Sequence, residues 1–212
     1  MSSSRTATRR LLKEVEALSK LQGDYEKGIE RVGPISDDEL FKWEAVINGQ
    51  DVGFGYDGAC SFSALPFIFP SLSMIPLAVM FLPIPLISYP KTLEHIANEK
   101  TVLCSTDGRW LLRITIPPTY PQKPPKMEFL TPIVHANVAL QTGEICLDLL
   151  KDAWTPAYTV LECVRAVRLL LSCPGTDSPL NVDLAALLRS GDALGARKLV
   201  ELWAEEERYK GK

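Results

Sequence analysis

The sequence predicts an α+β domain in which one helix precedes antiparallel strands and further helices follow them. Three observations predict it. Apolar residues recur at helical spacing near the start of the chain, strand-like runs bounded by turn residues fill its middle, and helical spacing returns from Thr155 onward.

In order, "TATRRLLKEVEALSKLQG" carries Leu11, Val15, Leu18 and Leu21 on one helical stripe, with Gly23 as a stop. Arg9, Arg10 and Lys13 lie off that stripe, either as a solvated face or as a surface for a partner. "FKWEAVING" reads as a strand ending in an Asn-Gly turn, and "RWLLRITIP" as another. "IPPTYPQKPPKMEFL" is a proline-rich connection into a short strand over 126–130. Val160, Leu161, Val164, Val167 and Leu171 then form a helical stripe, and "NVDLAALLRSG" and "DALGARKLVELWAEEERY" predict two more helices with acidic starts.

The stretch "ACSFSALPFIFPSLSMIPLAVMFLPIPLISYP" does not fit this scheme. It is apolar and long enough to span a bilayer. Its prolines (Pro66, Pro70, Pro76, Pro83, Pro85 and Pro90) each cost roughly 3 kcal/mol inside a helix. It also lies between two strands that should pair, and a single crossing would put them on opposite sides of a membrane. The segment from Gly58 to Thr106 reads instead as a translated, unspliced intron, disordered or extruded from the domain. Phe, Leu, Pro and Ser dominate it, and their codons are largely pyrimidine. "DGAC" can be encoded with a GTGCGT donor beginning inside the Gly58 codon, "TD" with a CAG acceptor ending inside the Asp107 codon, and Ile96–Asn98 with a GCTAAC branch sequence. Its removal joins "GFGYD" to "DGRWLL" in a short hairpin, whereas so long a structureless loop is unusual in a compact domain. The alternative is a membrane-dipping loop.

The 212 residues suffice for one domain with an insertion, and an apolar content of 46% supports a core. A net charge of −3 gives no footprint for nucleic acid. Cys60, Cys104, Cys146, Cys163 and Cys173 form no CxxC pair, so neither a metal site nor a disulfide framework is expected. "MSSSRTATRR" lacks the apolar core of a secretory signal, and an intracellular, reducing location is expected.

"HANVALQTGEICLDLL" sets Cys146 in an apolar run shortly after Asn137. The chain has only two histidines, His95 and His135. Free cysteine is commonly a buried thiol, and that reading fits this stretch taken alone. The wider pattern "YPQKPPKMEFLTPIVHANV" followed by "GEICLDLLKDAWTPAYTV" resembles the ubiquitin-conjugating enzymes, from the first helix to the last and outside the apolar insert. It departs from the family at Ala136, where His-Pro-Asn has proline, and in one added residue between Asn137 and Cys146. The resemblance implies an N-terminal helix, an antiparallel four-stranded meander and C-terminal helices, with the insert between the second and third strands. It thus implies one core domain over 1–212, interrupted by 58–106. "HAN", "DSPLNVDL" and "RSGD" are most similar to the family's peroxisomal branch, which ubiquitinates the cycling import receptor.

The resemblance implies that Cys146 accepts ubiquitin as a thioester from an activating enzyme and passes it to a substrate lysine or cysteine. A thiol is a strong nucleophile even at a few per cent thiolate. A base beside it would favour hydrolysis, so scarce histidine suits a carrier. Asn137 is expected to donate to the oxyanion, the alternative being a turn asparagine bonded to backbone. His135 is expected to tie the loop together. Asp177 and Ser178 resemble the family's acidic or serine gate, or else form a helix-capping pair. Arg9, Arg10 and Lys13 with Pro124, Pro125, Trp154, Pro156 and Ala157 resemble the surfaces that dock the activating enzyme and RING-type ligases. Gln122 stands where many members have phenylalanine, which points to an atypical ligase. Asp148 has no assigned role, and Cys163 and Cys173 read as structural.

No metal or cofactor is implied, because ATP is used by the upstream activating enzyme. The resemblance places the protein at the cytosolic face of the peroxisomal membrane through a small membrane-anchored partner. Three rivals stand beside this reading: a cysteine hydrolase using Cys146 and His135, a non-catalytic or insert-inactivated ubiquitin-binding module of the same fold, and a membrane-anchored scaffold using the insert.

Overall fold

The computed structural model describes residues 2–21, 23, 25, 27–36, 38–56 and 108–211. The apolar insert at 58–106, with its reading as disordered or extruded, lies outside the described residues.

Helix α1 (Ser2–Lys20) leads into strands β1 (Ile29–Pro34), β2 (Lys42–Asn48), β3 (Arg109–Thr115) and β4 (Lys126–Phe129). A short 3-10 turn (Asp148–Leu150) and helices α2 (Val160–Ser172), α3 (Val182–Arg189) and α4 (Ala193–Glu206) follow. The four strands pair antiparallel in chain order. Period-2 alternation sets the register: Trp43 faces Ile114, Ala45 faces Leu112 and Ile47 faces Trp110, all fully buried. These side chains join Val160, Val164, Val167 and Leu171 of α2 in one core. No helix among the described residues is long and apolar enough to cross a membrane.

Two strand and helix expectations need amendment. β1 was not legible from its own residues, because "IERVGP" alternates poorly and the β1–β2 register shifts between Ile29 and Arg31. On α1 the buried positions are Ala7, Leu11, Glu14 and Leu18, while Val15 is half-buried and Leu21, beyond the helix end, is exposed. A carboxylate therefore sits on the apolar stripe. Glu14 accepts from Arg10 Nε at 2.6 Å, from the Tyr120 hydroxyl at 2.7 Å and from the Val160 amide at 2.9 Å. Burial first, and then this carboxylate, push the Tyr120 phenol well above its ordinary range. Glu14 thus adds a second cap to α2, whose own N-cap Thr159 forms a capping box with Glu162.

The expected Asn-Gly turn is also different in kind. Gly49 does not close a two-residue hairpin; its amide donates to the Gly108 carbonyl at 2.8 Å, and the Gly108 amide donates to the Tyr56 carbonyl at 2.9 Å. Between them the chain passes through positive φ at Asp51, Gly53, Phe54 and Gly55. Tyr56 is buried, and its hydroxyl donates to the Val134 carbonyl at 2.7 Å.

Candidate active site

After β4 the chain folds back over 131–146 through small bridges that pair His135 with Val138 and Val138 with Ile145. The return requires a glycine. Gly143 has φ +69°, and a Cβ there would meet the Phe129 carbonyl oxygen at 1.9 Å. The loop over 139–144 is closed by amides of Ala139 and Gly143 bonding the carbonyls of Glu144 and Ala139. The Cys146 amide then donates to the Asn137 carbonyl at 2.8 Å, which fixes the thiol-bearing residue beside Asn137.

His135 is fully buried, and its Nδ1 accepts from the Asn137 amide at 3.1 Å. Burial drives its pKa down to about 4. The Leu170 backbone opposes that shift without forming a well-directed hydrogen bond to Nε2. A neutral imidazole with Nδ1 engaged and no exposure has no access to the Cys146 thiol as a base. The hydrolase reading loses its required pair.

The Asn137 side chain clamps one backbone unit far along the chain. Its Nδ2 donates to the Gly175 carbonyl at 3.0 Å and its Oδ1 accepts from the Gly175 amide at 2.7 Å. The Ala136 carbonyl accepts from the amides of Leu180 and Asn181. The loop after α2 is therefore held against His135–Asn137 at both of its ends. Asp177 and Ser178 lie exposed between those two anchors. The N-cap of α3 is Asn181, whose Oδ1 accepts from the Leu184 amide at 3.1 Å. The capping alternative for Asp177 and Ser178 is thus corrected.

Cys146 is partly exposed, and Lys151 Nζ lies 3.7 Å from its Sγ. Cys163 is buried among α2 core residues, and burial pushes its thiol up to about 12. Cys173 is exposed. Asp148 opens the 3-10 turn, and its carbonyl accepts from the amides of Lys151 and Ala153. Among the described residues, no group of three His, Cys, Asp or Glu side chains gathers to hold a metal.

The expected docking residues divide. Arg9 and Lys13 are exposed and flank Leu12, itself 56% exposed, on the outer face of α1. Arg10 points the other way: it pairs with Glu14 and donates to the Tyr158 carbonyl at 3.0 Å. It is an internal tie, correcting its place on a free basic face. Trp154 Nε1 donates to the Pro121 carbonyl at 2.9 Å, so the two surface loops are locked together. Pro156, Ala157 and Gln122 are exposed, Pro124 is half-buried, and Pro125 is buried and offers no free surface.

Sequence reasoning missed Glu14, Gly175 and Lys151. The signal for Glu14 was an acid at helical spacing between Leu11 and Leu18. Gly175 carried none, since its partner is 38 residues away.

A helix, a four-stranded meander, C-terminal helices and a thiol set after a His-Ala-Asn strip define an enzyme of the ubiquitin-conjugating class. The model of the family described as "Ubiquitin-conjugating enzyme" matches residues 98–202. A Gibberella zeae protein named "Ubiquitin-conjugating enzyme E2 PEX4" is 53% identical over 210 residues, covering 98% of this chain and 93% of that protein. The chain belongs to the ubiquitin-conjugating enzyme family and is an E2 enzyme. It is similar also to "Protein PEROXIN-4" of Arabidopsis thaliana, 47% identical over 96 residues, covering 45% of this chain and 61% of that protein. Among solved structures it is similar to the H. polymorpha ubiquitin conjugating enzyme Pex4p, crystallised in complex with the soluble domain of Pex22p. That likeness has a TM-score of 0.66 and 27% identity, covering 96% of this chain and 99% of that one.

Proposed function

We propose that this enzyme receives ubiquitin as a thioester on Cys146 from the activating enzyme and transfers it to the cycling peroxisomal import receptor. The observation that carries the reading is Cys146 itself, partly exposed and fixed by its amide to Asn137 beside a histidine that cannot serve as base. Such a site favours a long-lived acyl-enzyme, since the buried His135 is not available to activate water against it. Asn137 is proposed as the oxyanion donor. Its amide nitrogen carries two hydrogens and the Gly175 carbonyl takes one, so the second is available without breaking the clamp. Asp177 and Ser178, exposed on the clamped loop, are proposed to orient the incoming nucleophile. Arg9 and Lys13 are proposed to meet the activating enzyme, and Trp154, Pro156 and Ala157 a RING-type ligase. No cofactor is invoked, ATP being consumed upstream.

The likeness to proteins named PEX4 and to a Pex4p solved with Pex22p supports attachment to the peroxisomal membrane through a membrane-anchored partner. The test is reconstitution with activating enzyme, ATP, ubiquitin and the receptor. A reductant-sensitive ubiquitin adduct that discharges to the receptor is expected. Ubiquitin release without any adduct would favour a hydrolase.

We also propose that residues 58–106 are absent from the working enzyme. Their removal leaves Tyr56, Asp57, Asp107 and Gly108 consecutive, and the Gly108 amide already bonds the Tyr56 carbonyl at 2.9 Å. That is the i to i+3 bond of a β-turn, with glycine at the fourth position where type I turns favour it. A chain lacking 58–106 should fold and load ubiquitin at least as well as the full chain, and mature transcripts should lack those codons. Retention in all transcripts, with loss of loading on deletion, would favour the membrane-dipping alternative.

A further inference from the structure

We infer that Tyr56 is a positioning residue for the oxyanion step: its side chain, acting through Val134 and His135, holds Asn137 where the donor is needed. This rests on the thioester and oxyanion reading above. Tyr56 closes a tight loop after β2, and backbone bonds fix it on both sides. Its amide donates to the Gly53 carbonyl at 3.1 Å, and its carbonyl accepts from the Gly108 amide at 2.9 Å. The phenol is buried, and its hydroxyl donates to the Val134 carbonyl at 2.7 Å, 78 residues along the chain. Val134 leads directly into the His135–Asn137 strip. The Tyr56 ring also lies 6.2 Å from the His135 ring, between centroids, and meets Trp110 edge-on at 5.6 Å.

Both links from Tyr56 to Asn137 pass through His135. The hydroxyl holds the backbone that leads into it, and the ring packs against its imidazole. That imidazole accepts from the Asn137 amide at Nδ1, while Nε2 has no hydrogen-bond partner among the described residues. Its placement therefore depends on packing, and a shift of the ring carries the Asn137 amide with it. Gly175 holds the far end of the Asn137 side chain, and Tyr56 steadies the near end. The loop that aims Tyr56 is strained: φ is +60° at Asp51 and +53° at Phe54, a region that non-glycine residues seldom adopt. Such strain persists only where the surroundings hold it, and it gathers at functional sites. Burial pushes the phenol far above its ordinary range, so the hydroxyl keeps its proton and remains a donor. One lost oxyanion donor costs about a hundred-fold, and that is the ceiling for a residue that acts only by placing it.

The test is a double-mutant cycle on the full chain between Tyr56→Phe, which removes only the hydroxyl, and Asn137→Ala. Each protein is loaded with ubiquitin, the activating enzyme is removed, and the thioester is chased with free lysine. Discharge is normalised to the thioester present at the start, so chains that fail to fold and load do not enter the rate. Tyr56→Phe should load within about twofold of the wild type and discharge about tenfold more slowly, as a displaced catalytic group does. In the Asn137→Ala background the same change should alter discharge by less than about twofold, because the group being placed is gone. The slowing should be the same at pH 7 and pH 9, since the phenol does not titrate there. Phe54→Gly, which keeps the hydroxyl and frees the loop that aims it, is the second variant. It should slow discharge in the same direction, with the effect again lost in Asn137→Ala. A Tyr56→Phe enzyme that discharges at the wild-type rate, or an equal slowing with and without Asn137, would overturn the inference while leaving the thioester intact. So would equal slowing of loading and discharge, which marks a folding defect. Asn137→Ala discharging as fast as the wild type would overturn the oxyanion reading, and no reductant-sensitive adduct on the wild type the thioester reading, each taking this inference with it.

Discussion

His135, Ala136 and Asn137 bond backbone on three sides of their strip: Asn137 bonds Gly175, Ala136 bonds Leu180 and Asn181, and His135 bonds the Asn137 amide. Beside them, the Cys146 and Lys151 side chains share one loose contact of 3.7 Å and are open to solvent. The difference matches the two tasks proposed above for Asn137 and Cys146. A donor aimed at a transient oxyanion works only if it is held before the charge appears. A carrier thiol must be reached by two large partners in turn, and rigidity would hinder exchange. The same division repeats on α1, where Glu14 and Arg10 face inward in a closed network and Arg9, Leu12 and Lys13 face outward.

The inner networks should therefore be expensive to break and the outer faces cheap. The largest effect is expected from Glu14→Ala, which strands the Tyr120 hydroxyl, the Val160 amide and Arg10. Chemical unfolding should show a loss of about 3–5 kcal/mol. A loss under about 1 kcal/mol would mean that water replaces the carboxylate and the network is not closed.

Asn137→Ala should discharge ubiquitin to an acceptor amine about a hundred-fold more slowly, the worth of one oxyanion donor, while loading nearly normally. Single-turnover loading and chase separate the two steps. Equal slowing of both would assign Asn137 to the Gly175 clamp alone.

His135 sharpens the comparison through pH. Its folded pKa of about 4 lies below the ordinary value of 6.5, so the unfolded chain takes up a proton first as pH falls. Its contribution should be constant above about pH 6.5 and should fall between about 6.5 and 4, by about 3 kcal/mol in all. The measurement is the difference in unfolding free energy between wild type and His135→Gln across that window. A difference that does not change with pH would contradict a buried neutral imidazole.

The smallest effect on stability belongs to the outer face. Arg9→Glu with Lys13→Glu should stay within about 0.5 kcal/mol of the wild type, as exposed changes do, yet load more slowly from the activating enzyme. A large fall in melting temperature would show that this face is packed.

Much of the fold was legible because burial imposes a period. Val160, Val164, Val167 and Leu171 advertise α2, and Trp110, Leu112 and Ile114 advertise β3. β1 was not, since Gly33 and Pro34 weaken its pattern and its pairing comes from β2. Cys146, Asn137 and His135 stood out by residue type and order. What holds them did not, because the Asn137–Gly175 clamp joins positions 38 residues apart through a backbone that any residue supplies. Arg10 and Arg9 are adjacent in sequence and identical in type. Only the helical phase set by Ala7, Leu11 and Glu14 turns one inward. Asn181 rather than Asp177 or Ser178 caps α3 because Pro179 and Leu180 intervene before the helix begins.

The contrast between a closed oxyanion side and an open carrier side stands or falls on which atom holds ubiquitin. The direct measurement is loading of purified Cys146→Ser with activating enzyme, ATP and ubiquitin, with Cys163 and Cys173 left in place. The account predicts either no adduct or an ester that survives reductant, against a reductant-sensitive adduct on the wild type. A normal reductant-sensitive thioester on Cys146→Ser would contradict it.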